Sequence, residues 1–490
     1  MKKKKIIKDL DVSTKDLEVF KTSRSKQRKS SKTSNVEKPP QSSSELSDQP
    51  PLPEGWKWVR LGDVAEIIMG QSPPSETYNT DGTGLPFFQG KAEFSTMHPI
   101  PRKWCSISSK VAQKNDILIS VRAPVGSTNI ADQLCCIGRG LAAIRYPNAH
   151  KYIFYYLRLI ERQLDDQGTG TTFKAISVDI LKNSILPLPP LAEQQRIVTK
   201  IEEMFSSVDQ GIEKLKKVRG QIKMYRQSVL KAAFEGRLVN GSVYKDLEVL
   251  KTSRSETMRS EQPEPMKSEG SKKSIAPLTE EEISELPILP KDWKWVKLGE
   301  VCEKITDGEH FRPPTQETGI PFLSAKDVRD NGVSFDDPLF ISEQTAAKAL
   351  QRCNPELGDL LIVSRGATVG RMCIVNTDRK FCLLGSVILI KVIKSISSGF
   401  LNYSLKSPFA NQRMIAVSGA TAQQAIYLRD IQGIPIPLPP SLAVQSAIVD
   451  AIESRLSKAD LLDKAVEDAL QKAEQTKQSI LKKAFRGELV

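Results

Sequence analysis

Four basic residues occupy matching places in the two halves of the sequence, and each follows or ends a strand-like run. They form two pairs, Lys91 with Lys326 and Arg122 with Arg365. Lysine and arginine hold the phosphate oxygens of nucleic acids, because their cations replace the counterions that surround the backbone. The pairs therefore indicate DNA contacts in both halves. The alternative is a surface charge or a salt bridge within a domain.

A second set of polar residues occupies loops that are equivalent in the two halves but differ in sequence. Base edges are read by side chains that donate and accept hydrogen bonds, and two different half-sites need different side chains at equivalent positions. Three candidates of this kind lie in each half. They are Thr171, Thr172, Lys174, Thr421, Gln423 and Gln424.

The sequence lacks the motifs of common catalytic and cofactor sites. The nearest approach to the phosphate loop G-x-x-x-x-G-K-[ST] is Gly90-Lys91-Ala92, which fails at the last position. The Asn-Pro-Pro-aromatic motif of adenine methyltransferases is absent, as is a glycine-rich cofactor loop after a strand. Three histidines, none at matching positions, supply neither a catalytic triad nor a metal cluster. We therefore expect a binding protein rather than an enzyme, with no metal and no cofactor held by this chain.

The elements that must position these residues occur twice. The opening Leu-Pro-x-x-Trp-x-Trp-Val-x-Leu-Gly begins at Leu52 and again at Leu289. A proline-rich run that ends in Pro-Pro begins at Leu186 and again at Ile436. The period of about 240 residues far exceeds the roughly 20–50 residues of solenoid repeats. The sequence therefore predicts a tandem duplication of a whole two-part unit.

The spacing of apolar residues changes at the Pro-Pro pair of each unit. Upstream, short apolar runs alternate with Gly, Pro, Asn and Asp, which is typical of strands and turns. Downstream, apolar residues recur every three or four positions over about 40 residues, as in a coiled coil. Such a helix is about 60 Å long, enough to span the roughly 34 Å turn of DNA between two half-sites. The seam residues are Ile197, Ile201, Val208, Leu215, Ile222, Ile448, Ile452, Leu456, Val466 and Ile480.

These changes divide the chain into six segments. Two of them are rich in Ser, Pro and charge, and their few apolar residues cannot offset the entropy of ordering. The predicted segments are a disordered basic tail (1–51), a strand-rich domain (52–190), a helix (191–239), a flexible linker (240–288), a second strand-rich domain (289–440) and a second helix (441–490).

The 490-residue chain carries a net charge of +13, and 39% of its residues are hydrophobic. A basic balance favours a polyanionic partner, although residues 1–51 alone hold 13 basic and 7 acidic residues. No apolar run approaches the roughly 18 residues of a membrane-spanning helix, and we expect no signal peptide. The seven cysteines form no C-x-x-C pair, which predicts reduced thiols in a cytoplasmic protein.

The repeated motifs together resemble the specificity subunits of type I restriction–modification systems. The run Pro-Leu-Pro-Pro-Leu-Ala-Glu-Gln-Gln-Arg-Ile at 187–197 is similar to the start of the conserved helix in that family. The Trp-x-Trp openings, the Ala-Phe-x-Gly-x-Leu-Val endings and the duplicated layout extend the resemblance over nearly all of 52–239 and 289–490.

The resemblance implies an α+β fold with two similar strand-rich α/β target-recognition domains in a pseudo-twofold arrangement. Two long coiled-coil helices, packed antiparallel, would separate these domains. Each domain would read one half of an asymmetric bipartite site in double-stranded DNA. The helices, with Glu193 in the first turn of the first one, would set the spacing and dock two modification subunits.

The resemblance also implies that catalysis lies in the partner subunits. The modification subunits would bind S-adenosylmethionine and methylate adenine, and restriction subunits would supply translocation and cleavage driven by ATP with Mg²⁺. The alternative functions are a coiled-coil scaffold and a DNA-binding protein without a restriction–modification role. A self-contained nuclease or methyltransferase would need motifs that the sequence lacks.

The second copy departs from the family motif at the start of its helix. Ser441 is inserted, and Val444 stands where the first copy has Glu193. An acid in the first turn contributes about 0.3–1 kcal/mol through the helix macrodipole. We therefore expect the first turn of the second helix to be less stable than that of the first helix. The two helices need not bind a modification subunit equally.

Overall fold

The computed structural model describes residues 49–108, 110–170, 174–238, 275–418 and 425–490. Most of the predicted tail and the linker up to residue 274 lie outside these ranges. The chain forms two units. The first extends to Gln195 and includes Phe485–Gly487, and the second runs from Arg196 to Ala484 and includes Glu488–Val490.

The first domain is a strand-rich α/β domain, as the sequence predicts, and its core strands are continuous apolar runs that are buried on both faces. Its strands are β1 (Lys57–Arg60), β2 (Glu66–Met69), β3 (Tyr78–Asn79), β4 (Leu85–Phe88), β5 (Trp104–Cys105), β6 (Val111–Ala112), β7 (Ile117–Ser120), β8 (Thr128–Ile130), β9 (Cys135–Ile137), β10 (Leu141–Arg145) and β11 (Ile185–Leu188). Its helices are α1 (Leu61–Val64), α2 (His150–Leu159), α3 (Glu161–Asp166) and α4 (Val178–Lys182). The long helix α5 (Leu191–Phe234) follows.

The second domain is likewise built from short strands and helices. Its helices are α6 (Glu280–Ser284), α7 (Glu343–Arg352), α8 (Ser398–Lys406), α9 (Pro408–Val417) and α10 (Leu428–Gln432), and the long helix α11 (Leu442–Ala484) follows. Its strands are β12 (Lys294–Lys297), β13 (Cys302–Asp307), β14 (Ile320–Leu323), β15 (Val328–Arg329), β16 (Gly332–Val333), β17 (Leu339–Ile341), β18 (Leu360–Val363), β19 (Met372–Ile374), β20 (Cys382–Leu383), β21 (Val387–Val392) and β22 (Pro435–Leu438).

The two domains share the topology of their four-stranded sheet, which confirms the duplication. The first contains an antiparallel sheet in the order β2-β10-β7-β8, and the second repeats it as β13-β21-β18-β19. Parallel pairs also match, β4 with β9 and β14 with β20. In both domains the strand of the Trp-x-Trp motif pairs with the proline-rich strand, β1 with β11 and β12 with β22. Trp56 and Trp293 are buried, so the first tryptophan of each motif packs in the interior.

A carboxylate ties the central strands together in each domain, buried in the first and half-buried in the second. Asp116 precedes β7 and accepts hydrogen bonds from Arg145 on β10 at 3.1 and 2.9 Å. The equivalent Asp359 lies 2.6 Å from Lys391 on β21. Pairing offsets the cost of removing a carboxylate from water, which explains why an acid is found at this place in both copies.

The two long helices pack against each other within the second unit. Ile222 of α5 forms a small core with Ala459 and Val466 of α11, and Arg226 lies 2.9 Å from Asp460. The earlier Asp209 pairs with the later Lys477. Because lower numbers on α5 meet higher numbers on α11, the helices are antiparallel, which confirms the implication of the family resemblance.

Each long helix ends just before the glycine of the repeated Ala-Phe-x-Gly-x-Leu-Val ending. Gly236 and Gly487 have φ values of +70° and +73°, a left-handed conformation that glycine adopts without strain. After Gly236, the Arg237 N–H donates to the Ala232 carbonyl at 2.8 Å. A Cβ added at Gly236 would lie 2.0 Å from Pro290 Cγ, so the glycine also permits a close approach to the second domain.

The described end of the predicted linker is structured. Thr279 caps α6 by accepting a hydrogen bond from the Glu282 N–H at 3.1 Å, and Glu282 lies 3.5 Å from Lys297 of β12. Leu286 is buried. The flexible linker predicted for 240–288 is therefore too long at its C-terminal end, because residues 279–286 belong to the second domain.

Within the described ranges, no helix combines the length and the apolarity that crossing a membrane requires. The seven cysteines are free thiols, and all except Cys302 are fully buried. Burial raises the pKa of Cys135 and of Cys353 to about 12. Since the thiolate is the reactive form, these side chains act as core residues.

Replacing Gly236 by alanine tests the helix end. We expect Gly236→Ala to lower the free energy of unfolding by more than about 1 kcal/mol, because alanine resists a positive φ and its Cβ would overlap Pro290. The matched control is Gly211→Ala in the middle of α5, where an added Cβ meets nothing within 4 Å and should stabilise the helix by about 0.5–1 kcal/mol. Denaturation midpoints give both values. Equal shifts of the two variants would contradict the interpretation.

Candidate nucleic-acid interface

Loops that follow β4, β7 and β9 converge at one edge of the first domain, which we call the first loop edge. The Val121 N–H donates to the Gly140 carbonyl at 2.9 Å, and the Ala123 N–H donates to the Lys174 carbonyl at 3.0 Å. A Cβ added at Gly140 would lie 2.1 Å from the carbonyl oxygen of Gln89. The main chain thus brings together the segments that carry three nominated residues, Lys91, Arg122 and Lys174.

The charges at the first loop edge differ in their surroundings. Lys91 and Arg122 are exposed, and within the part of the chain that the structure describes Arg122 forms no ion pair. Lys174 lies 2.8 Å from Asp165, whose carboxylate raises the pKa of the Lys174 ammonium. Arg139, in the Gly-Arg-Gly turn before β10, is also exposed at this edge. Sequence reasoning missed Arg139, although its flanking glycines mark a tight turn beside a strand.

The second domain repeats this convergence at a second loop edge. The Ser364 N–H donates to the Ser386 carbonyl at 2.8 Å, and the Ile426 N–H donates to the Ser364 carbonyl at 2.9 Å. Arg365 follows Ser364 and bridges to Ala425, as Arg122 bridges to Ala175. Arg365 is exposed, and it forms no ion pair with the residues described. The equivalence of Arg122 and Arg365 therefore holds in three dimensions.

Lys326 differs from its counterpart Lys91. The Lys326 ammonium lies 2.9 Å from the Asp337 carboxylate and 2.6 Å from the Asp337 carbonyl oxygen. The hydrogen bond to Asp337 raises the pKa of Lys326. This is the salt bridge within a domain that the sequence left as the alternative.

The other base-reading candidates lie outside the described residues. The structure therefore leaves their nomination as a prediction. They are Thr171, Thr172, Thr421, Gln423 and Gln424.

An open cavity of about 480 Å³ lies at the second loop edge, where Arg365 forms part of its wall. Arg429 and Tyr427 also line it, and their exposed fractions are 87% for the Arg429 side chain and 53% for Tyr427. His310 enters the wall from the loop after β13. Sequence reasoning missed these three residues, because they come from segments more than 100 residues apart and carry no motif.

A network of charged groups fixes His310 in this wall. Asp307, which is largely buried, pairs with Arg352 of α7, and Arg352 donates to His310 Nε2 at 2.7 Å. His310 Nδ1 lies 3.8 Å from Asp307. The imidazole is thereby oriented while about half of the side chain remains exposed to solvent.

A buried glutamine attaches each long helix to the domain that precedes it. Gln194 accepts a hydrogen bond from the Tyr146 hydroxyl at 3.2 Å and donates to the Pro189 carbonyl at 2.8 Å. Gln445 accepts from the Ser397 N–H at 2.8 Å and donates to the Ser395 carbonyl at 3.2 Å. The residue that anchors the helix start is therefore the glutamine after Glu193, at a place that both copies share.

The second helix begins with a compensating cap. The Ser441 hydroxyl accepts a hydrogen bond from the Val444 N–H at 3.4 Å, the role of an N-cap serine. Val444 is buried in a cluster with Trp293 and Phe400. The expected weakness at this helix start is thus offset, because a serine cap and apolar packing replace the lost acid.

The predicted seam residues are inside the helical packing. Val208, Leu215 and Leu456 are half-buried. The other seven are buried, namely Ile197, Ile201, Ile222, Ile448, Ile452, Val466 and Ile480. Leu215, Ile222 and Val466 share one cluster between α5 and α11, and fully buried side chains are not available to a further subunit.

No group of three or more His, Cys, Asp or Glu side chains that could hold a metal ion occurs among the residues for which the structure gives positions. The chemistry available at the two loop edges is therefore that of exposed guanidinium, ammonium, imidazole, phenol and carboxylate groups. These groups can hold phosphates and hydrogen-bond to base edges.

Two copies of one strand-rich domain, each with an arginine at the same loop edge and each followed by a long helix, define a class of duplicated recognition proteins. The family of type I restriction modification DNA specificity domains matches residues 53–222 and again 290–471. The chain belongs to this family.

Individual relatives agree with this assignment. The MjaX type I restriction enzyme specificity subunit of Methanocaldococcus jannaschii is 42% identical over 193 residues, which cover 38% of this chain and 44% of that relative. The EcoBI specificity subunit of Escherichia coli is 25% identical over 89% of this chain and 86% of its own length. A solved chain from work on complex assembly and conformational transition of the type I R-M system has a TM-score of 0.64 at 24% identity, and it covers 90% of this chain and all of its own. This last likeness supports the fold.

Replacing Gln445 by leucine tests the attachment of α11. We expect Gln445→Leu to lower the free energy of unfolding by about 1–2 kcal/mol, because the Ser397 N–H loses its partner. Gln471→Leu on the exposed face of α11 is the control and should change stability by less than about 0.5 kcal/mol. Chemical denaturation of the two purified variants provides the comparison. An equal effect of both would show that Gln445 is not an anchor.

Proposed function

We propose that this chain is the DNA sequence-specificity subunit of a type I restriction–modification complex. Each strand-rich domain reads one half of an asymmetric bipartite site in double-stranded DNA through its loop edge. The observation that carries the proposal is the pair Arg122 and Arg365, which stand exposed at equivalent places on two copies of one domain. Two equal phosphate contacts on duplicated domains suit two half-sites.

The asymmetry of the site follows from differences between the loop edges. The cavity wall of the second domain contains His310 and Tyr427. The equivalent places in the first domain hold Ser72 and Ser177. Domains with one backbone arrangement and different exposed side chains would read different bases.

The proposal places catalysis in partner subunits, in the cytoplasm. Two modification subunits would bind S-adenosylmethionine and methylate adenine, and restriction subunits would use ATP and Mg²⁺. Because the seam side chains are buried, the long helices would dock these partners through exposed apolar residues. Candidates are Val218, Met224, Tyr225, Leu461 and Leu462.

Mapping of methylated adenines tests the proposed function. We expect deletion of the gene to abolish methylation at one bipartite DNA motif and the wild-type gene to restore it. An unchanged methylation pattern would contradict the proposal and leave the coiled-coil scaffold as the better description. Methylation or cleavage of DNA by the purified chain alone would instead show that the protein is an enzyme.

Removing the two equivalent arginines tests the loop edges. In complex with the modification subunits, Arg122→Ala combined with Arg365→Ala should weaken DNA binding at every sequence. The slope of log affinity against log salt should fall in magnitude by about 2, since each lost phosphate contact removes about 0.9 from the slope.

Lys394→Ala is the control for this measurement. Lys394 is exposed and follows β21, at the end opposite to the loop edge. A six-residue strand separates the two ends by about 20 Å. An unchanged slope in the double arginine variant, or an equal change with Lys394→Ala, would count against DNA binding at the loop edges.

A further inference from the structure

One structurally equivalent position carries opposite charges in the two loop edges. The Ile176 N–H donates to the Val121 carbonyl at 3.0 Å, and the Ile426 N–H donates to the Ser364 carbonyl at 2.9 Å. Helices α4 and α10 begin two residues after these contacts. The third residue after the contact is Asp179 in the first domain and Arg429 in the second. The backbone is thus aligned while the side-chain charge is reversed.

The surroundings of Arg429 suit a group that reaches a ligand. Its side chain is 87% exposed, and its Nε lies 3.3 Å from the neighbouring Asp430. Arg429 lines the same cavity as Arg365 and Tyr427. A phosphate held by Arg365 would therefore bring the adjoining nucleotides to the cavity mouth that Arg429 flanks.

Asp179 offers the complementary chemistry at the first loop edge. Its carboxylate is exposed in the first turn of α4. A carboxylate accepts hydrogen bonds but does not donate them, and it repels phosphate oxygens. An acid at the position equivalent to Arg429 thus opposes backbone binding and needs a donor on the DNA, which an exocyclic amine of a base supplies.

We propose that the Asp179 and Arg429 position is a base-reading position of the two recognition domains. Arg429 donates two hydrogen bonds to the O6 and N7 atoms of a guanine in one half-site. Asp179 accepts a hydrogen bond from the amino group of a base, cytosine N4 in the first instance, in the other half-site. The proposal rests on the proposed function and names the residues that make the two half-sites unequal.

Single substitutions within the complex of this chain with its modification subunits test the proposal. Methylation is measured on a DNA library in which every position of both half-sites is varied. Arg429→Ala should lower discrimination for guanine at one position of one half-site by about 5- to 150-fold, leaving the other half-site unchanged. Asp179→Asn should change the preferred base at one position of the other half-site.

Three comparisons separate the outcomes. Lys394→Ala is the charge control and should leave both half-sites unchanged, and the unfolding midpoints of all variants should match the wild type because the replaced side chains are exposed. A uniform loss of methylation at all sequences with Arg429→Ala would overturn its role, since that is the behaviour of a phosphate contact.

The two residues are judged separately. Unchanged base preference with either variant overturns the assignment of that residue. A wild-type complex that methylates no bipartite motif would instead refute the proposed function itself, so the two failures are distinguishable.

Discussion

The antiparallel packing of α5 and α11 is the constraint on which the second unit depends. Ile222, Ala459 and Val466 form the seam, and Arg226 sets the register through its contact with Asp460. Burial of apolar side chains drives this packing, and the ion pairs at its exposed margin add little free energy but oppose a shifted register. Without this packing, the two long helices would expose these apolar side chains to water. They would then not stay at a fixed distance from each other.

The attachments at the helix ends combine polar, small and aromatic residues. Gln445 ties the start of α11 to the loop before α8. At the same end of the helix pair, Phe234 packs edge-on against Phe400, and Gly236 allows the chain to pass close to Pro290. In the first unit, Phe485 packs in the same manner against Tyr152. The endings of both repeats therefore serve as packing motifs, which accounts for their near identity.

The difference between residues that shape the backbone and residues that are exposed explains where the two copies differ in sequence. Residues that shape the backbone are alike in both copies, such as the paired acids Asp116 and Asp359. Exposed residues on the same frame differ freely, because a substitution there costs the fold little free energy. A duplicated domain can in this way keep one geometry while it presents different hydrogen-bonding groups to a ligand.

Much of the architecture could be predicted from the sequence, because its signals are local. The repeat, the seam periodicity and the change of pattern at each Pro-Pro pair require only neighbouring residues, and they located both domains and both helices. The end of the linker was misplaced, since the few apolar residues there gain stability only from the second domain. Thr279 shows the same limit, because its capping pattern indicates a short helix whose packing only the fold supplies.

Which charges remain available was decided by the tertiary structure. In the sequence, Arg122 and Lys326 are both basic residues of a repeat. In the structure, Asp337 forms an ion pair with Lys326 across a loop, whereas Arg122 stays exposed. His310 and Arg429 line one cavity, which likewise depends on contacts between residues more than 100 positions apart. The sequence by itself determined a duplicated, helix-linked recognition protein, since periodicity and caps are local properties. Only the fold decided which of its charged side chains stay exposed, since pairing and exposure arise from long-range contacts.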